Sequence, residues 1–125
     1  MTFLRTGTDI VSVERIIDIL KNKKKFKQKI LTEREIKYCN SFKDKDVHVA
    51  GRFAAKEAVY KALNSEKQKF FWKDIEIIND SSGRPHISDE SKLMDLIIAK
   101  NLVYSLSIAH EEKYAVAVVV FKESI

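Results

Sequence analysis

Gly51-Arg52-Phe53-Ala54-Ala55-Lys56-Glu57-Ala58-Val59-Tyr60-Lys61-Ala62-Leu63 holds four alanines and no proline in thirteen residues. It predicts a helix from about Asp46 to Leu63, closed by Asn64-Ser65, where asparagine tolerates a left-handed cap. C-terminal to it, Trp72 to Ile78 reads as a strand, and Asn79-Asp80-Ser81-Ser82-Gly83 reads as a turn leading into Arg84-Pro85. Ser88 to Asn101 reads as a helix with Leu93, Leu96, Ile97 and Lys100 on one side. Leu102–Ala109 and Tyr114–Phe121 read as strands joined at His110-Glu111-Glu112-Lys113. N-terminal to the long helix, Thr2 to Val11 reads as a strand and Ser12 as the N-cap of a helix. On that helix Val13, Ile16, Ile17 and Leu20 recur at i, i+3, i+4 and i+7. Thr32-Glu33-Arg34-Glu35 is a capping-box pattern that opens a short helix through Ile36, Tyr38 and Cys39. Strand pairs with short joins favour an α+β domain, an antiparallel sheet packed with helices, over a doubly wound one. The last strand is apolar on both faces, which suits a central strand or a subunit interface.

The chain has 125 residues, 45% of them apolar, with 1 proline and 3 glycines. That is the size of one domain, expected to span 1–125, and it excludes disordered and collagenous classes. No uncharged apolar run approaches the roughly 18 residues that span a bilayer. Arg5 and Asp9 interrupt what would have to be the apolar core of a signal peptide. Cys39 is alone, so no internal disulfide forms. A soluble, cytoplasmic protein is the expectation. The net charge of +5 is concentrated. Lys21-Asn22-Lys23-Lys24-Lys25-Phe26-Lys27-Gln28-Lys29 carries six lysines, leaving 17 basic against 18 acidic residues elsewhere. One local basic patch on a near-neutral domain favours an acidic partner, be it protein, nucleic acid or anionic membrane.

Several residues could carry chemistry. Glu57 and Lys61 are four apart and share a helix face, and a surface ion pair alone would explain them. Phe53, Ala54 and Ala58 around Glu57 nevertheless suggest partial burial, where a carboxylate needs a cation. Asp9 ends a strand of threonine, glycine and aliphatic residues, a position that also suits a simple capping role. Two carboxylates from distant segments with a lysine nearby are what a Mg²⁺ and phosphate site requires. Spacing does not say that Asp9 and Glu57 meet. His110 reads as a solvated strand-end residue, and His48 and His86 have no chemical neighbours in sequence. Gly83-Arg84-Pro85 reads as a tight turn whose arginine could meet a phosphate. Cys39, Phe53 and Tyr60 read as core.

Gly7-Thr8-Asp9-Ile10-Val11 taken with Phe53 to Leu63 closely resembles the holo-(acyl-carrier-protein) synthases, the short, trimeric kind of the 4′-phosphopantetheinyl transferase family. Arg15, Leu31-Thr32-Glu33-Arg34-Glu35, Gly83-Arg84-Pro85 and Ser107-Ile108-Ala109-His110 before Tyr114-Ala115 fall in the family's order, so the resemblance covers nearly the whole chain. It implies transfer of 4′-phosphopantetheine from coenzyme A to a serine of acyl carrier protein, releasing adenosine 3′,5′-bisphosphate and supporting fatty acid biosynthesis. Carried over by position, Asp9 and Glu57 become ligands of Mg²⁺. Lys61 contacts the phosphate under attack or assists proton movement, which makes Glu57 and Lys61 the catalytic pair. Arg52, Lys56, Lys61, Gly83, Arg84, Pro85 and His110 become coenzyme A contacts. Arg15, Lys21, Lys23, Lys24 and Lys25 become the docking surface for the acidic carrier protein. The resemblance further implies a homotrimer with active sites between subunits. Asn64 replaces the glycine common in relatives, and Ala109 stands where relatives often carry a hydroxyl. The competing reading is a small basic nucleic-acid-binding module, disfavoured because the basic segment holds one aromatic, Phe26, and stacking on bases usually needs several. A Mg²⁺-dependent nucleotide hydrolase on the same residues is a third reading.

Overall fold

A computed structural model describes residues 3–63 and 70–124. Strand β1 (Leu4–Ser12) leads into helix α1 (Val13–Asn22), then the short α2 (Phe26–Ile30) and α3 (Glu33–Asn40). The long α4 (Lys45–Leu63) is followed by a 3₁₀ turn (Trp72–Asp74), β2 (Ile77–Asn79), β3 (Pro85–Ile87), α5 (Leu93–Ala99), β4 (Leu102–His110) and β5 (Tyr114–Glu123). The expected α+β class with antiparallel pairing is what forms. The main sheet has the order β1-β5-β4, antiparallel throughout, and β2-β3 make a separate hairpin.

The two-sided apolar strand is central, one of the two readings its pattern allowed. On one face Ala115, Ala117, Val119 and Phe121 are buried beneath α4, which packs against β5 and β1. The alanines of α4 serve this contact, since small side chains let the helix backbone approach the sheet closely. Gly7 takes the approach to its limit: a Cβ there would lie 1.8 Å from the carbonyl oxygen of Ala58. Any side chain at position 7 would therefore push β1 off the helix. On the other face of the sheet Leu4, Ile10, Val103 and Val118 stay exposed, beside Thr6, Thr8, Ser105 and Ser107.

Local signals behaved unevenly. Ser12 caps α1 by accepting from the Arg15 N–H at 3.3 Å. Thr32 and Glu35 close both halves of the capping box at α3. Two expectations are corrected. Trp72 to Ile78 is not one strand, because the Asp74 carboxylate accepts from the Phe71 N–H at 2.9 Å and winds the segment into a 3₁₀ turn. The helix expected from Ser88 starts only at Leu93, because Ser88 and Ser91 are occupied elsewhere. Ser88 Oγ accepts from the Glu90 N–H, and Ser91 Oγ accepts from the Glu76 N–H. Tyr60, expected in the core, is half exposed. The expected cap at Asn64-Ser65 and Thr2 at the start of the first strand lie outside the described residues.

Candidate active site

The close packing of β1 on α4 brings together residues far apart in sequence. Lys61 Nζ, on the last turn of α4, donates to Asp9 Oδ1 at 2.7 Å and to the Thr8 carbonyl at 3.2 Å. Glu57, one turn earlier, is partly buried. Burial first, and then the nearby Asp9 carboxylate, pushes its carboxyl above the ordinary value of 4.5, with Lys61 opposing. The hydrogen bond it donates to Asp9, reinforced by the charge of both carboxylates, raises the pKa of the Lys61 ammonium. Asp9, Glu57 and Lys61 thus form one electrostatic cluster, in which Lys61 pairs directly with Asp9 and Glu57 feels the charge of both. Among the described residues no group of three or more His, Cys, Asp or Glu side chains is arranged to hold a metal. Two hard oxygen donors with unmet negative charge do fit a hydrated Mg²⁺, which takes one or two carboxylates and fills its other positions with water or phosphate oxygens.

Lys56, which the resemblance sets among the coenzyme contacts, is committed to the interior of this chain. Its ammonium is fully buried and its three protons are used: it donates to Glu35 Oε1 at 2.6 Å, to the Ile30 carbonyl at 2.6 Å and to the Trp72 carbonyl at 2.9 Å. Glu35 in turn accepts from the Thr32 N–H at 2.9 Å and the Ile77 N–H at 3.0 Å. Lys56 therefore joins α4 to the end of α2, the start of α3, the 3₁₀ turn and β2, and has no donor left for a phosphate.

Arg52 is 3% exposed, and its guanidinium lies 4.2 Å over the Tyr38 ring. Nη2 donates to Asn79 Oδ1, while Nε is buried with no hydrogen-bond partner among the described residues. Arg52 lines a cleft of about 140 Å³ with Tyr38, His48, Asn79, Gly83 and His110. His48, unremarkable in sequence, stacks on Phe42 at 3.7 Å and meets the His110 ring edge-on at 4.9 Å. Burial lowers the His48 pKa below 6.5, with Asp44 opposing and His110 and Arg52 adding to the shift. A wider groove of about 700 Å³ runs between the Gly83-Arg84-Pro85 turn and Ser105 to Ile108 of β4. Gly83 has φ +86°, so the turn needs glycine there. Asp9, Glu57 and Lys61 line neither the cleft nor the groove.

Arg15, Lys21, Lys23, Lys24 and Lys25 are all exposed. Lys23, Lys24, Lys25 and Lys29 rim a groove of about 470 Å³ whose apolar wall is Phe26, Ile30 and Trp72. The lysine run hides α2, whose apolar residues Phe26 and Ile30 are the only helical signal in it. Cys39 is buried and its thiol pushed up to about 11 by that burial, which makes it inert. Among the described residues no helix is long and apolar enough to cross a membrane.

Known proteins match this chain along most of its length. The family model of the 4′-phosphopantetheinyl transferase superfamily matches residues 5–119. The holo-[acyl-carrier-protein] synthase of Protochlamydia amoebophila is 41% identical over 117 residues, covering 92% of this chain and 96% of the relative. That of Thermoanaerobacter sp. is 40% identical over 115 residues, covering 91% and 83%. Among solved structures, the holo-(acyl-carrier-protein) synthase of Bacillus anthracis in complex with CoA (3′,5′-ADP) superposes with a TM-score of 0.80 at 35% identity, covering 99% of this chain and 100% of that one. The Helicobacter pylori enzyme in complex with coenzyme A gives 0.76 at 37% identity, covering 93% and 98%. An alanine-faced helix that sets a glutamate and a lysine against an aspartate of β1 thus sits on a shared backbone, and the chain belongs to the 4′-phosphopantetheinyl transferase superfamily, within its holo-(acyl-carrier-protein) synthases.

Proposed function

We propose that this chain is a Mg²⁺-dependent, cytoplasmic holo-(acyl-carrier-protein) synthase that moves 4′-phosphopantetheine from coenzyme A to a serine of apo acyl carrier protein. The carrying observation is the convergence of Asp9, Glu57 and Lys61 at the contact of β1 with α4. Asp9 and Glu57 would hold the Mg²⁺, which when bound supplies positive charge beside the pyrophosphate of coenzyme A. The serine oxygen forms a bond to the β-phosphorus as the bond to the departing adenosine 3′,5′-bisphosphate oxygen breaks. A carboxyl held above its ordinary range, as Glu57 is, takes up the serine proton more readily than a free glutamate does. Lys61 is half exposed and turns its ammonium toward charge that develops on the phosphoryl oxygens. Arg52, Arg84 and His110 complement the nucleotide phosphates. Most of the rate enhancement then comes from positioning and charge, as in other phosphoryl transfers.

Two surfaces complete the reading. The carboxylate cluster and the arginine-lined cavities are separate within one chain, and the open face of the main sheet keeps Leu4, Ile10, Val103 and Val118 exposed. Both observations support a homotrimer whose protomers bury that face and share each active site. The lysine-rimmed groove beside α1 supports docking of an acidic carrier protein by electrostatic steering.

Incubation with coenzyme A, Mg²⁺ and apo carrier protein should add the mass of one phosphopantetheine to the carrier. No mass gain, with water accepting the phosphoryl group instead, would point to a hydrolase. Changing Lys23, Lys24 and Lys25 together to glutamine should raise the KM for carrier protein about 10-fold at low salt, leave kcat within two-fold, and flatten the salt dependence. A salt dependence equal to that of the wild type would remove these lysines from the docking surface.

A further inference from the structure

The turn before Arg84 contains an asparagine whose side chain is used at both ends. Asn79, the last residue of β2, accepts from Arg52 Nη2 through Oδ1 and donates from Nδ2 to the Gly83 carbonyl at 2.9 Å. An amide is the side chain that offers an acceptor and a donor in one plane at this reach. The turn it holds is itself closed from within. Asp80 Oδ1 accepts from the Ser82 N–H at 2.9 Å, the Ser82 hydroxyl at 2.6 Å and the Arg84 N–H at 3.0 Å. The Gly83 N–H donates to the Asp80 carbonyl at 2.9 Å. On the other side, the Arg52 guanidinium is fixed over Tyr38, with its buried Nε unpartnered among the described residues.

We infer that Asn79 is a positioning residue, which locks Arg52 of α4 and the Gly83–Pro85 turn into one preformed clamp for the phosphates at the nucleotide end of the substrate. The inference rests on the proposal that Arg52 and this turn meet that end of coenzyme A. An arginine already held at one edge loses little further rotamer freedom when an anion arrives, and a turn already closed loses little backbone freedom. Without the amide the guanidinium would swing and the turn would drift from the helix, so the cost falls on binding and spares the chemical step. Asn79 touches neither the carboxylate cluster nor Lys61, which is why KM and kcat should separate.

The test measures adenosine 3′,5′-bisphosphate binding by calorimetry, coenzyme A kinetics and thermal midpoints for Asn79→Ala, the isosteric Asn79→Asp, and Arg52→Ala. Asn79→Ala should weaken the bisphosphate and raise the KM for coenzyme A by about 10-fold each, with kcat within two-fold of wild type. Asn79→Asp keeps the acceptor for Arg52 but loses the donor to Gly83 and adds a negative charge, so it should weaken the bisphosphate at least as much. Should Asn79→Ala fail to fold, the isostere decides alone. If Arg52→Ala weakens the bisphosphate while both Asn79 variants bind it like the wild type, the positioning role is overturned and the site stands. If Arg52→Ala itself leaves binding unchanged, the reading of the cleft falls, and the inference with it. A fall in kcat equal to the rise in KM would likewise overturn the inference.

Discussion

Lys56→Met is expected to lower the thermal unfolding midpoint by about 10 °C or more, a loss of about 3–5 kcal/mol. The ammonium it removes is fully buried, and so is its partner Glu35. Burial is the main cause that depresses the Lys56 pKa, with the Arg52 charge adding to it, and the Glu35 carboxylate is the largest effect opposing that. With methionine in place, Glu35 keeps its bonds from the Thr32 and Ile77 N–H groups but loses its cation, and the Ile30 and Trp72 carbonyls lose a charged donor. Breaking one side of a buried pair costs far more than the pair is worth, because a charge is left unpaired in low dielectric. Adding Glu35→Gln to Lys56→Met should therefore recover part of the loss, since no charge remains and the glutamine oxygen still accepts from the Thr32 N–H, while its amide nitrogen gives up the bond from the Ile77 N–H. Circular dichroism melts of the wild type and the variants check this. A Lys56→Met midpoint within 2 °C of wild type would mean that the ammonium is not buried as described and would return Lys56 to the substrate contacts.

That residue also shows where reading the sequence stopped. Lys56 and Lys61 both sit in an alanine-rich helix and look alike in the pattern, yet one faces a buried carboxylate and two carbonyls and the other the Asp9 carboxylate inside β1. The difference is made by Ile30, Trp72 and Asp9, none of them local. The capping box at Thr32 was legible because both its bonds are local, but nothing in it says that Glu35 also holds Ile77 and Lys56. The class of the fold was legible because strand pairs with short joins favour an antiparallel sheet, and the two-sided apolar Val116 to Phe121 suited a central strand. The short α2 was not, since lysines leave only Phe26 and Ile30 to mark it. The cluster of Asp9, Glu57 and Lys61 came from family resemblance; its physical cause is Gly7, whose missing Cβ lets β1 lie against Ala58.

Glu57→Gln is expected to do opposite things to activity and to stability. The substitution keeps the shape of the side chain and removes its charge. Transfer to apo carrier protein should fall by about 100-fold or more even at high Mg²⁺, because one of the two anionic donors and the candidate proton acceptor are lost together. Turnover near that of the wild type in excess Mg²⁺ would rule out the ligand role. Stability without metal should move the other way. The folded-state pKa of Glu57 is raised by burial and by Asp9, so the folded state binds this proton more tightly than the unfolded chain does. The stability linked to it is present in full below the ordinary value of 4.5 and is lost as pH rises through the raised value. At neutral pH the ionised carboxylate is therefore a burden on the metal-free fold, which glutamine removes. The midpoint of Glu57→Gln should exceed that of the wild type in chelator at pH 7, and the gap should close as pH falls toward 4.5. Addition of Mg²⁺ should raise the wild-type midpoint and leave the variant nearly unmoved, because ligand binding stabilises only the state that binds it. Equal midpoints in chelator, with equal gains from Mg²⁺, would show that Glu57 neither bears the repulsion of Asp9 nor holds the cation.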